Sequence, residues 1–261
     1  MDNKNNTVTF VTNIFHIYEK NYHPEKTIEW RINNFKLLAQ TGINICLYVC
    51  DIYKPLINDF IAQYSNVKII ELNVPYIETQ IYKLCQIDNL ELPYVRNNEK
   101  DTKEYISLMN CKIEFVNDAI KKNPFNNNVF SWIDFSIAYL FKNKNNTLKQ
   151  LENLGKNNYV NTFLAIPGCY TNKLYYNDVS NILNNVNWRF CGSFFIGDKE
   201  SIINFYNLYI DVYKIFVEKY KKLIWEVNIW AYMEATYKLP CIWYLAGHND
   251  SIINIPNYLY N

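Results

Sequence analysis

The sequence predicts an α/β fold: a Rossmann-like, mostly parallel sheet flanked by helices. Three observations point there. Residues 7–72 read strand, helix, strand, helix, strand, an order that gives parallel strands joined by right-handed crossovers. Short, very apolar runs recur later between helical stretches, as expected of strands covered on both faces. The chain has 261 residues, 49% of them apolar, enough for one large domain with a sizeable core.

Each element has its own warrant. Thr7–Phe15 is β-branched and apolar, a strand. A polar segment follows, broken by Pro24. From Thr27 to Gln40, Ile28, Ile32, Phe35 and Leu38 keep helical spacing, and Gly42 stands where a helix C′ residue belongs. Ile43–Cys50 is a second strand ending at Asp51, Pro55–Tyr64 a helix and Val67–Leu72 a third strand. Charged residues from Arg96 to Lys103 suggest an exposed loop. Lys103–Lys122 reads as one helix with Ile106, Met109, Ile113, Val116 and Ile120 on a face. The turn Asn123–Asn128 leads into an apolar run, within 129–137, read as a buried strand that ends in Asp134, and Asn143–Asn146 reads as a surface loop. Asn158–Pro167 and Trp188–Gly197 are further strands. Lys199–Leu223 and Trp225–Leu239 are helices, and Cys241–Leu245 closes the series as a strand. No repeat or linker divides the chain. It is expected to be a single domain with a ligand-binding half over 1–140 and a second half over 141–261.

Composition excludes several classes. Net charge is +1, with acids and bases interspersed, so no basic stripe marks a nucleic-acid partner. Seven scattered cysteines without a CxxC fit core thiols in a reducing compartment better than a disulfide or zinc framework. Met1–Thr7 is polar and lacks the apolar region of a signal peptide. No run approaches the ~20 apolar residues a membrane helix needs. A soluble, cytoplasmic protein is the expectation.

Four features carry chemistry if the sheet is doubly wound. Asp134 ends an apolar run, and a carboxylate at the tip of a core strand falls in the crevice where open α/β sheets bind ligands. Cys191–Gly197 holds Gly192 and Ser193, where a glycine lets backbone approach a ligand closely. Glu226 and Asn228 open a helix, near the positive end of its dipole. His248 follows the last strand, within Gly247-His248-Asn249-Asp250. Hard oxygen ligands plus an imidazole suit Mg²⁺ or Mn²⁺ on a diphosphate. Each feature has a plainer reading: a turn acceptor for Asp134, a bulge for Gly192, a first-turn acid for Glu226 and a structural imidazole for His248. His16 and His23 lack such company and read as surface or loop residues.

The chain resembles the HtrL/YibB family, and through it the A-type nucleotide-sugar-binding architecture of glycogenin-like glycosyltransferases. Val8–Ile14, Arg31, Tyr105–Lys112, Trp132–Phe135, Phe190–Gly197 and Trp225–Trp230 carry the resemblance, spread over most of the chain. It implies a metal-dependent hexosyltransferase that moves a sugar from a nucleotide-sugar, a UDP-sugar, to a hydroxyl of a glycan, protein or lipid acceptor. Asp134 and His248 would hold Mn²⁺ or Mg²⁺. The family pattern has a second aspartate two residues after Asp134; here it is Ser136. Thr12, Asn13, Arg31, Lys112, Gly192 and Ser193 would bind the donor. Glu226 and Asn228 would face the reacting carbon. Two rival readings remain. A nucleotidyltransferase would need a glycine-rich loop after the first strand, and Asn13–Pro24 contains no glycine. A non-catalytic carbohydrate- or protein-binding module is favoured by Ser136.

Overall fold

The computed structural model describes residues 7–17, 25–174 and 179–261. His23 and Pro24 lie outside the described residues. Among the described residues the elements run β1 (Val8–Ile14), α1 (Ile28–Gln40), β2 (Asn44–Val49), α2 (Lys54–Ile61), β3 (Val67–Ile69), α3 (Gln80–Cys85), α4 (Lys103–Asn110) and α5 (Lys112–Lys122). They continue with β4 (Val129–Ile133), α6 (Lys144–Lys156), β5 (Leu164–Gly168), α7 (Val179–Asn184), β6 (Phe194–Asp198), α8 (Lys199–Tyr220), α9 (Glu226–Tyr237) and β7 (Ile242–Leu245).

The strands form one seven-stranded sheet in the order β3-β2-β1-β4-β6-β5-β7. β1 pairs in parallel with β2 and β4, and β6 runs antiparallel to both β4 and β5. The expected α/β class and mostly parallel sheet hold. The chain winds outward from β1 through β2 to β3, then returns to β4 on the other side of β1. The β1/β4 seam is therefore the topological switch point, where a crevice opens beyond the strand ends.

Alternation along the strands feeds two cores. Phe10, Ile45, Ile133 and Phe194 pack with Phe35 and Leu38 of α1 and Leu151 of α6. Val11, Cys46, Trp132 and Phe195 pack with Phe115 of α5, Phe205 of α8 and Trp230 of α9. Gly42 takes φ +77, the left-handed conformation foreseen for it, and its N–H closes on Ala39 O at 3.1 Å.

Three expectations on the elements are corrected. The helix over 103–122 is two, because the backbone flattens at Cys111 (φ −77, ψ −5) and α5 restarts at Lys112. Asn143–Asn146 is no loop: α6 begins there, with Leu151 and Leu154 buried on its inner face. Trp188–Gly197 is extended strand only from Phe194, and the strand ends on Asp198, whose carboxylate accepts the Glu200 and Ser201 N–H groups and caps α8. No described helix is long and apolar enough to cross a membrane. All seven cysteines are free thiols.

Candidate active site

A cleft of about 640 Å³ opens at the switch point, bounded by the ends of β1 and β4, the start of α1, α4, and the first turn of α9. Asp134 stands on its floor. The Asp134 N–H donates to Ser193 O at 3.0 Å, one step beyond the β4–β6 ladder, which fixes the backbone. The Trp132 indole N–H donates to Asp134 Oδ1 at 2.8 Å. The Asp134 side chain stays 39% exposed, and its Oδ2 takes no hydrogen bond among the described residues.

Lys112 joins this carboxylate to a second one. Its Nζ lies 2.9 Å from Gly192 O, 2.9 Å from Glu226 Oε1 and 3.2 Å from Asp134 Oδ1. The first two contacts are hydrogen bonds and the third is an ion pair, so one ammonium holds both carboxylates. Lys112 is 2% exposed and opens α5, the wrong end of a helix dipole for a cation. Burial also pulls its pKa down, but the Asp134 and Glu226 carboxylates outweigh it and hold the pKa above the ordinary lysine value. Removing one partner of such a buried cluster would cost about 3–5 kcal/mol.

Glu226 is 5% exposed, at the first position of α9. Gly192 makes room for it: a Cβ on residue 192 would lie 2.2 Å from Glu226 Oε1. Ser193 Oγ and His248 Nε2 are 3.3 Å apart in a hydrogen bond, and the imidazole rests near Trp188 with ring centroids 5.9 Å apart. Desolvation by the surrounding walls lowers the His248 pKa; Asp134 opposes this, while Lys100, Lys112 and Lys26 add to it. The downward shift favours the neutral ring, the form that binds metals.

The structure brings Asn13, Arg31, Lys112, Asp134, Gly192, Ser193, Glu226 and His248 to one cleft. Two expected residues fall elsewhere. Thr12 is fully buried and does not line the cleft, because consecutive strand residues point to opposite faces and its neighbour Asn13 faces the cleft. Asn228 is also fully buried. Its Oδ1 accepts the Asn187 N–H at 2.7 Å, and its Nδ2 donates to Ile182 O at 2.8 Å and Asn185 O at 2.7 Å. These bonds tie α9 to α7 and to the segment after it, and Asn228 does not line the cleft. Lys112 lines the cleft with its ammonium bound to Gly192 O and Glu226 Oε1 and ion-paired with Asp134. Asp250, grouped above with His248, turns to α6. Arg31 lines the cleft without an ion pair among the described residues.

A divalent ion fits this donor set only in part. Among the described residues no three His, Cys, Asp or Glu side chains gather into a metal site. Asp134 Oδ2 and His248 Nε2 can supply two positions, and Mg²⁺ at phosphates typically takes the rest from phosphate oxygens and water. The Lys112 ammonium beside Asp134 opposes an ion unless an anionic ligand arrives with it.

Asp101 was missed. The charged run around it suggests a solvated loop, yet it is 6% exposed and lines the cleft. The one signal was Thr102, which caps α4 through the Tyr105 N–H and so places its neighbour at the helix entrance.

A family model described as a bacterial protein of unknown function, HtrL_YibB, matches residues 7–245. Among solved structures the chain is similar to mouse xyloside xylosyltransferase 1 in its apo form, with 7% identity and a TM-score of 0.46 over 92% of this chain and 84% of that one. It is also similar to 4-diphosphocytidyl-2C-methyl-D-erythritol synthase from Anaerococcus prevotii, with 9% identity and a TM-score of 0.40 over 97% of this chain and 93% of that one. Likenesses this loose say nothing about the site. A comparison with curated proteins returns no match.

Proposed function

We propose that this chain, which belongs to the HtrL_YibB family, is a glycosyltransferase of the A-type architecture that moves a sugar from a UDP-sugar donor to an acceptor hydroxyl. The observation that carries the reading is the buried Lys112 holding Asp134 and Glu226 on the floor of the switch-point cleft. Glycosyl transfer builds negative charge on the departing diphosphate and positive charge on the sugar ring. The cluster carries two carboxylates and one ammonium, a net charge of −1. Its spare oxygens are Asp134 Oδ2 and Glu226 Oε2.

Glu226 Oε2 takes no hydrogen bond among the described residues, while Oε1 is fixed by Lys112. A carboxylate so held stabilises a cationic ring, or takes the proton of an acceptor hydroxyl, with little reorganisation. Asp134 and His248 would hold Mn²⁺ or Mg²⁺ together with the donor phosphates, and the ion would offset charge on the leaving group. Lys112 and Arg31 add positive field around the same phosphates.

The test is hydrolysis of a panel of UDP-sugars with Mn²⁺, with water standing in for the acceptor. Glu226→Gln should lower kcat by about 100-fold or more and leave donor KM near the wild-type value, the range of an acid–base group. Asp134→Ala should abolish turnover that depends on the ion. Wild-type rates in Asp134→Ala would remove the assignment. A Glu226→Gln defect confined to KM would make Glu226 a helix-start acid and favour the binding-module reading.

A further inference from the structure

Asp101 carries an acceptor that takes no hydrogen bond among the described residues. Its N–H donates to Asn97 O at 2.7 Å, and its Oδ2 accepts the Asn97 N–H at 3.1 Å, closing the loop ahead of α4. Among the described residues Oδ1 has no hydrogen-bond donor, although the side chain is only 8% exposed. The Lys100 ammonium stands 3.8 Å away, beyond hydrogen-bond reach. Buried polar atoms are seldom left in this state, and those that are call for a partner absent from the protein. Asn13 Nδ2 is a second such atom on the same cleft, a donor without an acceptor, on a residue 8% exposed. The other side-chain atoms of this kind, among the described residues, belong to residues that do not line the cleft.

We infer that Asp101 is a ligand-binding residue that accepts a hydroxyl hydrogen from a sugar ring, with Asn13 donating to a neighbouring oxygen of the ligand. An ionised carboxylate only accepts hydrogen bonds and repels phosphate, so the group that satisfies Oδ1 must carry a donor and no negative charge. Sugar hydroxyls do, and they also accept, as Asn13 requires. Selection of this kind is strong, because a ligand without the hydroxyl leaves the buried oxygen unpaired. The inference rests on reading the cleft as a nucleotide-sugar site. The hydroxyl can belong to the ribose or to the transferred sugar.

Calorimetric titration of wild type and Asp101→Asn with UDP, 2′,3′-dideoxy-UDP, UDP-glucose, UDP-galactose and UDP-N-acetylglucosamine, with Mn²⁺ present, separates these cases. If the ribose is read, the wild type binds UDP at least tenfold more tightly than the dideoxy form, and Asp101→Asn loses that preference. If the transferred sugar is read, the wild type prefers one UDP-sugar over UDP at least tenfold, and the variant loses that preference. The variant keeps an oxygen for the Asn97 N–H, so its melting temperature should match the wild type. Preferences that persist in the variant, or are absent from the wild type, overturn the role of Asp101. So does an equal loss for every ligand together with a lowered melting temperature, which marks a structural residue. A wild type that binds no nucleotide at all overturns the reading of the cleft, and this inference with it.

Discussion

A methyl group on residue 192 would lie 2.2 Å from Glu226 Oε1 and 3.1 Å from its Cδ. The far end of a glutamate can move, but this one is held by Lys112, so the shift would break the ion pair and reorient the carboxylate. Gly192→Ala should therefore cost about 1–3 kcal/mol of stability, the usual penalty of overpacking. It should also cut turnover by about 100-fold, as a 1 Å misplacement of a catalytic group can. Urea melts and donor hydrolysis rates check both; wild-type rates in Gly192→Ala would show that the Lys112–Glu226 contact is dispensable. Residue types and order drew attention to Asp134, Gly192 and Glu226, because a charge or a glycine in an apolar run stands out, whereas Lys112 came only through the family resemblance. Side-chain direction was harder to read. Two positions apart on a helix is about 200° of rotation, so Glu226 and Asn228 could not share a face.

Among the elements, α6 shows what a local window misses. Its opening, Lys144-Asn145-Asn146, is poor helix sequence, and the side chains before it give no cap. The cap comes from far along the chain. Asp250 accepts the Lys142 and Asn143 N–H groups at 3.0 Å each and the Thr147 hydroxyl at 2.6 Å. The Thr147 hydroxyl foremost, with the two amides behind it and against some desolvation, lowers the Asp250 pKa from 3.8 to about 2. A depressed carboxyl pKa adds stability above its unfolded value, and that stability fades as pH falls through the folded value. Asp250→Ala should cost about 1 kcal/mol at pH 7, as loss of a cap does. The gap to wild type should narrow as pH drops from about 4 to about 2. Denaturant melts at neutral and at acid pH decide it: a gap of equal size at about pH 7 and about pH 2 would mean that Asp250 acts through packing. The α4–α5 break was hidden for the opposite reason. Apolar spacing continues through Cys111, so periodicity shows one helix where the backbone makes two.

At the scale of the whole molecule, the two sequence halves, 1–140 and 141–261, share one sheet. β4 pairs with β6 along its length, from Val129↔Asp198 to Ile133↔Phe194, so the hydrogen-bonded ladder runs straight across the expected seam. The parallel order of the first three strands was legible because each βαβ unit is local. The antiparallel β6 was not, since its partners are set by tertiary pairing. The cleft draws on both halves: Asn13 and Asp134 come from one, Ser193, Glu226 and His248 from the other. A ligand held there stabilises the two together. We therefore expect a single unfolding transition that UDP with Mn²⁺ shifts as a unit. At 100 times its dissociation constant the ligand adds about 2.7 kcal/mol. For a chain of this size that is roughly 5–10 °C in melting temperature. Asp134→Ala should lose the part of the shift that depends on the ion and retain the single transition. Scanning calorimetry with and without UDP and Mn²⁺ provides the reading. Two transitions, only one of them moved by UDP, would show that the halves are separate domains and that the cleft belongs to one of them.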